Sequence, residues 1–337
     1  MLKTLNITRP ESLEDLLDPA LIARISRLDF TSRKIFAGKL RGERRSKKRG
    51  ESVEFADHRP YVSGDDLRHI DWNIFGRLDR LFLKLFLEEE DLSLHIVLDA
   101  SASGDCGEPN KFLYMQRLAM ALGYIGLVNL NRVTVSAVGG GGRDAETQRR
   151  RDGAENSSGA SSLPLSVSPS LVSAIRDLRG RRRTQDLARF MCGLAPGGVA
   201  PFTESCKRIA LSRRGKGVMV VLSDFFHKEG YDTGLRLLVG RGYDLFLIQT
   251  LSPQEVDPTG PSGVAGDLRL KDVEDGDVAE VTISAPLLKR YKANLAAYNN
   301  QLREFCARRE IGLLTIRTDT PIDTLILEYL RKRGVLR

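Results

Sequence analysis

The sequence predicts an α/β protein built on a mainly parallel sheet with helices on both faces, preceded by an N-terminal helix/strand extension. Three observations carry this. From residue 93 onward, short apolar runs alternate with helix-length amphipathic segments, the order of a parallel βαβ chain. Two of those runs, residues 94–98 (LHIVL) and 218–222 (VMVVL), are apolar throughout, as strands buried on both faces are. Both stop abruptly in short polar residues, Asp99 after the first and Ser223-Asp224 after the second.

Residues 11–28 have apolar positions at Leu16, Leu17, Leu21, Ile22 and Ile25, the spacing of a helix. A basic stretch follows at 33–50 (RKIFAGKLRGERRSKKRG), then a polar and aromatic block through residue 77 that is too irregular for a helix. Residues 81–87 (LFLKLFL) read as a strand. Beyond the 94–98 strand, the pattern predicts a strong helix at 111–128 and a strand at 132–138. Weaker helices follow at 170–178 and 186–194, and helical spacing recurs at 203–213. The rest of the chain reads as strand 218–222, helix 231–240, strand 243–250, a hairpin over 267–284 turning at 274–277, helix 285–309, strand 311–317 and helix 321–333. Residues 139–168 are rich in Gly, Ser and Arg with almost no large apolar side chain before Leu163, so they read as a flexible insertion. The expected organisation is an extension over 1–90 and one larger domain over 91–337.

Composition narrows the function classes. Hydrophobic residues make up 41% and charged residues 28% of the 337, with a mean hydropathy of -0.24. No apolar run approaches the ~20 residues of a membrane span, and the start of the chain has no secretory pattern. The expected location is cytoplasmic. The four cysteines, Cys106, Cys192, Cys206 and Cys306, form no CxxC pair, which argues against a zinc ribbon and for reduced thiols. Net charge is +8, concentrated at 33–50 and 179–183; such stretches suit nucleic acid, acidic lipid or an acidic protein face. Few aromatic residues interleave the 33–50 arm, so nucleic acid is the less favoured partner.

The candidate site gathers at strand ends. In an open α/β sheet, ligands bind beyond the carboxyl ends of the strands where strand order reverses. Should the 94–98 and 218–222 strands be neighbours there, Asp99 and Asp224 converge. Asp99, Ser101 and Ser103 alternate along one loop, and Thr184 lies in a turn before a helix. Two carboxylates and three hydroxyls are hard oxygen donors suited to Mg²⁺, with Mn²⁺ or Ca²⁺ as alternatives. A site with so few protein charges leaves the ion able to accept an Asp or Glu from a partner.

This set resembles the metal-ion-dependent adhesion site of von Willebrand factor A domains. The resemblance implies that Ser101, Ser103 and Thr184 ligate the metal directly or through water and that Asp99 and Asp224 act mostly through water. The upstream block Arg59-Pro-Tyr61-Val-Ser-Gly64-Asp65-Asp66-Leu-Arg68-His-Ile70-Asp71-Trp72 resembles the hallmark of the bacterial domain of unknown function family 58. Glu88-Glu89-Glu90, a hairpin before a Tyr291-bearing helix, and Thr318-Asp319-Thr-Pro321 follow in the order of that family. Departures are Gly104 where a Met usually follows the last serine, Arg182-Arg183 where Gly-Gly often precedes the threonine, and the long 139–168 insertion. The resemblance implies a non-catalytic adaptor that partners a MoxR-type AAA+ ATPase in the maturation of other proteins. In the 59–77 block, Asp65, Asp66 and Asp71 are expected to pair with Arg59, Arg68 and Arg77, and Trp72 and Tyr61 to pack.

Rival readings are weaker. Gly139–Gly142 lacks a following amphipathic helix and no GxxxxGK[ST] is present, which argues against a nucleotide loop. Asp99 as the nucleophile of a phosphohydrolase lacks a second carboxylate at position 101, where Ser stands.

Overall fold

The computed structural model describes residues 7–31, 55–63, 65–67, 70–86, 92–142, 172–198, 201–212, 217–258, 266–271 and 278–337. The 33–50 arm, the Glu88–Glu90 triplet, Arg68, the 274–277 turn and the body of the 139–168 insertion lie outside these residues. The chain divides into two units, Leu40–Asp91 and a larger one that joins Met1–Lys39 to Leu92–Arg337. The helices near the amino terminus thus group with the large unit, not with the 55–86 segment.

In the small unit, β1 (Phe55–Pro60) pairs antiparallel with β2 (Phe82–Phe86). Between them, the helix Trp72–Leu78 is capped by Asp71, whose Oδ1 accepts from the amides of Asn73 and Ile74. Asp71 is also bonded to His58 Nε2 at 3.0 Å and sits 3.4 Å from Lys84 Nζ. The His58 bond, joined by the cap amides and Lys84 against the penalty of burial, holds the Asp71 carboxyl down at about 2. Asp65 pairs with Arg59 at 2.7 Å, as expected. Asp71 instead takes its partners from the two strands, because its side chain is turned inward by the cap. Trp72 is 63% exposed and meets only the edge of Phe75 in a ring contact, so it is not the packing residue expected from sequence.

The large unit begins with two short helices, Leu13–Leu16 and Pro19–Ile25, in place of one. Residue 18 precedes a proline, which disfavours the helical conformation there, and Asp18 caps the second helix instead. A six-stranded sheet follows, formed by β3 (Ser93–Asp99), β4 (Arg132–Val138), β6 (Val172–Leu178), β8 (Gly217–Ser223), β9 (Asp244–Leu251) and β12 (Gly312–Arg317). The short β5 (Gly141–Gly142) and β7 (Leu194–Ala195) pair with each other. The hairpin β10 (Gly266–Lys271) and β11 (Val278–Ile283) stands as its own sheet. The main sheet runs β12-β9-β8-β3-β4-β6, every pairing parallel except β4 with β6. Leu94, Ile96 and Leu98 of β3 face one apolar cluster, with the helices Lys111–Val128 and Thr184–Gly193. Val97 faces the other, with Phe202–Ser212, Asp232–Val239 and Ala285–Ala307. The chain is thus mixed α/β with helices on both faces. The carboxyl-proximal helix contains a π-helical turn, Leu325–Leu330. No described helix is long and apolar enough to cross a membrane.

A strand also departs from expectation. Residues 172–178 form an edge strand, not a helix. Val172, Ile175 and Leu178 are spaced three apart, which mimics a helical stripe. The register with β4 shifts between Val133 and Val135, and Asp177 there takes φ 54°. This bulge breaks the two-residue alternation of a strand, so Ile175 and Leu178 both reach the same cluster.

Candidate metal centre

β3 is the strand at which the connection order reverses. The chain leaves it for β4 on one side and later returns as β8 on the other. Leu98 is level with Leu222, so Asp99 and Ser223-Asp224 emerge side by side at the carboxyl ends. Asp99 is buried, with its Oδ1 accepting from the Ser101 amide at 3.0 Å and its Oδ2 from Ser223 Oγ at 2.6 Å. His227 Nε2 lies 3.6 Å from the same Oδ2, and the His227 ring stacks on Phe202 at 4.3 Å. Ser101 Oγ and Ser103 Oγ are 2.9 Å apart and hydrogen bonded, with Ser101 buried and Ser103 half-buried.

Asp224 is held differently. Its Oδ1 accepts from the Phe226 amide at 3.0 Å, and its Oδ2 accepts from Lys111 Nζ at 2.7 Å. Lys111 is 1% exposed and also donates to Glu255 Oε1 at 2.6 Å. Burial alone would raise the Asp224 carboxyl, but the Lys111 ammonium overrides it and keeps the carboxylate charged. Burial likewise opposes the ammonium, and Asp224 and Glu255 together more than offset that. The same burial pushes the neighbouring Cys106 thiol up to about 11. Phe225, between Ser223-Asp224 and His227, takes φ 63°, and its carbonyl accepts from Tyr298 Oη.

A third loop closes on the first. Gly197 N donates to Ala100 O at 3.0 Å, and Ala102 N donates to Gly198 O at 3.1 Å. The loop at 99–103 is therefore clamped by a Gly-Gly pair.

Thr184 is not at this end of the sheet. Because β6 runs antiparallel to β4, its last residue Leu178 is level with Val133, near the amino ends of the parallel strands. The helix Thr184–Gly193 then runs back alongside Lys111–Val128. Leu187 crowds Gly123, whereas Met191 O accepts from Gln116 Nε2. Lys111 is at the Asp224 end of the long helix, so Thr184 lies toward the opposite end, about 27 Å of helix away. Thr184 Oγ1 is buried without a hydrogen-bond partner among the described residues. The structure thus brings Asp99, Ser101, Ser103 and Asp224 together and leaves Thr184 out.

Sequence reasoning passed over Ser223, His227, Lys111, Glu255 and the Gly197-Gly198 clamp. Ser223 and the Gly-Gly pair carried a local signal, one beside Asp224 and the other between two helices. Lys111 and Glu255 carried none, being distant in sequence and ordinary in type.

The oxygens gathered here are of the hard type that suits a small divalent cation, but they do not form a five-residue shell. Two oxygens bound at ~2.1 Å on adjacent octahedral positions are roughly 3.0 Å apart, and the Ser101–Ser103 oxygens match that edge at 2.9 Å. Among the described residues, no group of three or more His, Cys, Asp or Glu is arranged to hold a metal. An ion held here would rest on the hydroxyls, with Asp99 behind them.

Residues 57–146, which run from β1 to just beyond β5, match the family model described as Protein of unknown function DUF58. Uncharacterized proteins of Mycobacterium bovis and Mycobacterium tuberculosis are 25% identical to this chain over 327 residues, covering 96% of it and 93% of their own length. The matched segment contains the Arg59–Trp72 block, which resembles the hallmark of that family of unknown function, DUF58, and it also takes in the Asp99–Ser103 loop.

Proposed function

We propose that the chain is a non-catalytic, metal-dependent protein-interaction module of von Willebrand factor A type. In this reading Ser101 and Ser103 hold Mg²⁺ directly, Asp99 does so through water, and Asp224 balances charge while occupied by Lys111. The bound ion supplies an open coordination position that takes a carboxylate from a protein partner. The observation that carries the reading is the pair of serine hydroxyls spaced as octahedral neighbours over a buried, hydrogen-bonded Asp99. The partner class is a MoxR-type AAA+ ATPase, a proposal that rests on the resemblance of the Arg59–Trp72 block and the strand-end motif. A phosphohydrolase built on Asp99 is the weaker reading, since both Asp99 oxygens already accept hydrogen bonds.

The test is calorimetric titration of Mg²⁺ into the full chain and into the Ser101→Ala/Ser103→Ala variant, each alone and with an acidic peptide as carboxylate donor. Thr184→Ala serves as the control. Binding by wild type and Thr184→Ala, lost in the double variant, is the expected result. No binding by wild type in either format, or loss in a folded Thr184→Ala protein, overturns the assignment.

A further inference from the structure

We infer that the amino-terminal end of the sheet, opposite the candidate metal centre, is a docking face for an anionic phospholipid bilayer. The argument begins with Leu130. It follows the helix Lys111–Val128 and adopts φ 59°, with Leu130 N bonded to Leu127 O at 3.2 Å and Asn131 N to Gly126 O at 2.9 Å. This left-handed capping position is usually glycine, sometimes asparagine, because a Cβ is strained there. A leucine here is conformationally costly, and at 43% exposure it recovers little by burial. The exposed part of its side chain is free to meet something outside the fold.

Its surroundings are basic. Val133 pairs with Leu178, which places Arg132 and Arg179 at the same edge. A Cβ on Gly180 would lie 3.7 Å from the Leu130 side chain, so residues 179–183 start against Leu130 itself. Arg132, Arg179, Arg181, Arg182 and Arg183 are all exposed. Arg183 pairs with Asp186, while Arg132, Arg181 and Arg182 make no ion pair among the described residues. On the other flank, Asn129 Nδ2 donates to Leu28 O, bringing exposed Arg27 to the same end.

An exposed leucine at an end of the sheet that carries these exposed arginines suits the headgroup and acyl boundary of an anionic membrane, where arginines meet phosphates and the apolar side chain enters the boundary. A duplex nucleic acid is held by arginines at its phosphates, and an apolar side chain enters it only as a wedge at a kinked base step. A single strand needs stacking rings, and positions 179–183 are Arg-Gly-Arg-Arg-Arg.

The test is cosedimentation of the full chain with phosphatidylcholine vesicles that either contain or lack phosphatidylglycerol, repeated with short duplex DNA as competitor. Wild type binds the anionic vesicles only, and more weakly as salt rises. Arg181→Glu/Arg182→Glu/Arg183→Glu loses about a hundredfold or more in partition, each surface charge being worth roughly fivefold. Leu130→Gly relieves the backbone strain, so it melts at or above the wild-type temperature yet partitions several-fold less. A purely structural role for Leu130 would not separate those two readouts. Equal binding to neutral vesicles or unchanged partition of the triple variant overturns the proposal. Tighter binding to duplex DNA that is indifferent to Leu130→Gly assigns the face to nucleic acid and also overturns it.

Discussion

Lys111 sets the charge balance at the carboxyl ends of β3 and β8. Its ammonium is almost fully buried between Asp224 and Glu255, at 2.7 and 2.6 Å. Removing one partner of such a group leaves the other charged and desolvated, which costs about 3–5 kcal/mol. Lys111→Met should therefore destabilise the protein by roughly that amount in urea denaturation at neutral pH. The pH dependence has a definite sign. In wild type the Asp224 carboxyl is depressed, so its contribution is present above the unfolded value of 3.8 and is lost as pH falls through the lower folded value. Without Lys111, burial is opposed only by the smaller effects of the Phe226 amide and His227, and it raises that carboxyl above its unfolded value. The variant's native state then takes up a proton first as pH falls, and its deficit against wild type narrows between neutral pH and about pH 5. A deficit that is constant over this range would mean that Lys111 acts by packing alone. Asp99, Ser101, Ser103 and Asp224 were legible because a strand-ending carboxylate is a local pattern. Lys111 opens an apolar helix and reads as a solvated first-turn residue; its partner Glu255 is 144 positions away.

The helix Lys111–Val128 links site and core, and it lies close to the sheet because of glycine. A Cβ on Gly126 would fall 2.7 Å from Val133 Cγ2 and 2.9 Å from Leu94 Cδ2. Two effects compete in Gly126→Ala. Helix propensity favours alanine by about 1 kcal/mol. Overpacking against β-strand side chains that are themselves fully buried costs about 1–3 kcal/mol. Val133 and Leu94 are both 0% exposed and have nowhere to move, so the clash wins and the variant unfolds at lower urea by ~1–2 kcal/mol. A gain in stability would show that the helix can lift off the sheet. At this scale most boundaries were legible, since the helix at 111–128 and the strand at 132–138 fall where periodicity put them. β6 was not, because a bulge gave its apolar residues a three-residue spacing. The break at Asp18-Pro19 was visible in the residues and outweighed by the apolar stripe around it.

Strand direction decides what shares an end of the molecule. Convergence of Asp99 and Asp224 was conditional on β3 and β8 being neighbours, and the structure shows that pairing. Thr184 was grouped with Asp99 through the adhesion-site resemblance, with residues 170–178 before it read as a helix. With β6 antiparallel, the loop that follows it opens at the other end and carries Thr184 with Arg179–Arg183. Sequence periodicity is blind to this, because a reversed edge strand has the same alternation as a forward one. The consequence is a molecule with two chemically unlike ends, one with strand-terminal carboxylates and hydroxyls, the other with exposed arginines around Leu130. The two proposed sites share no residue and are separated by about 27 Å of helix. Sites that far apart, with no common partner, perturb each other by less than about 0.5 kcal/mol unless a two-state element joins them. The long helix between them is packed at Gly123 and Gly126 too tightly to shift by degrees. Arg181→Glu/Arg182→Glu/Arg183→Glu should thus bind Mg²⁺ with wild-type affinity by calorimetry, and Ser101→Ala/Ser103→Ala should partition onto anionic vesicles like wild type. A change beyond about threefold in either measurement exceeds that 0.5 kcal/mol allowance and would mean that the helix transmits state between the ends.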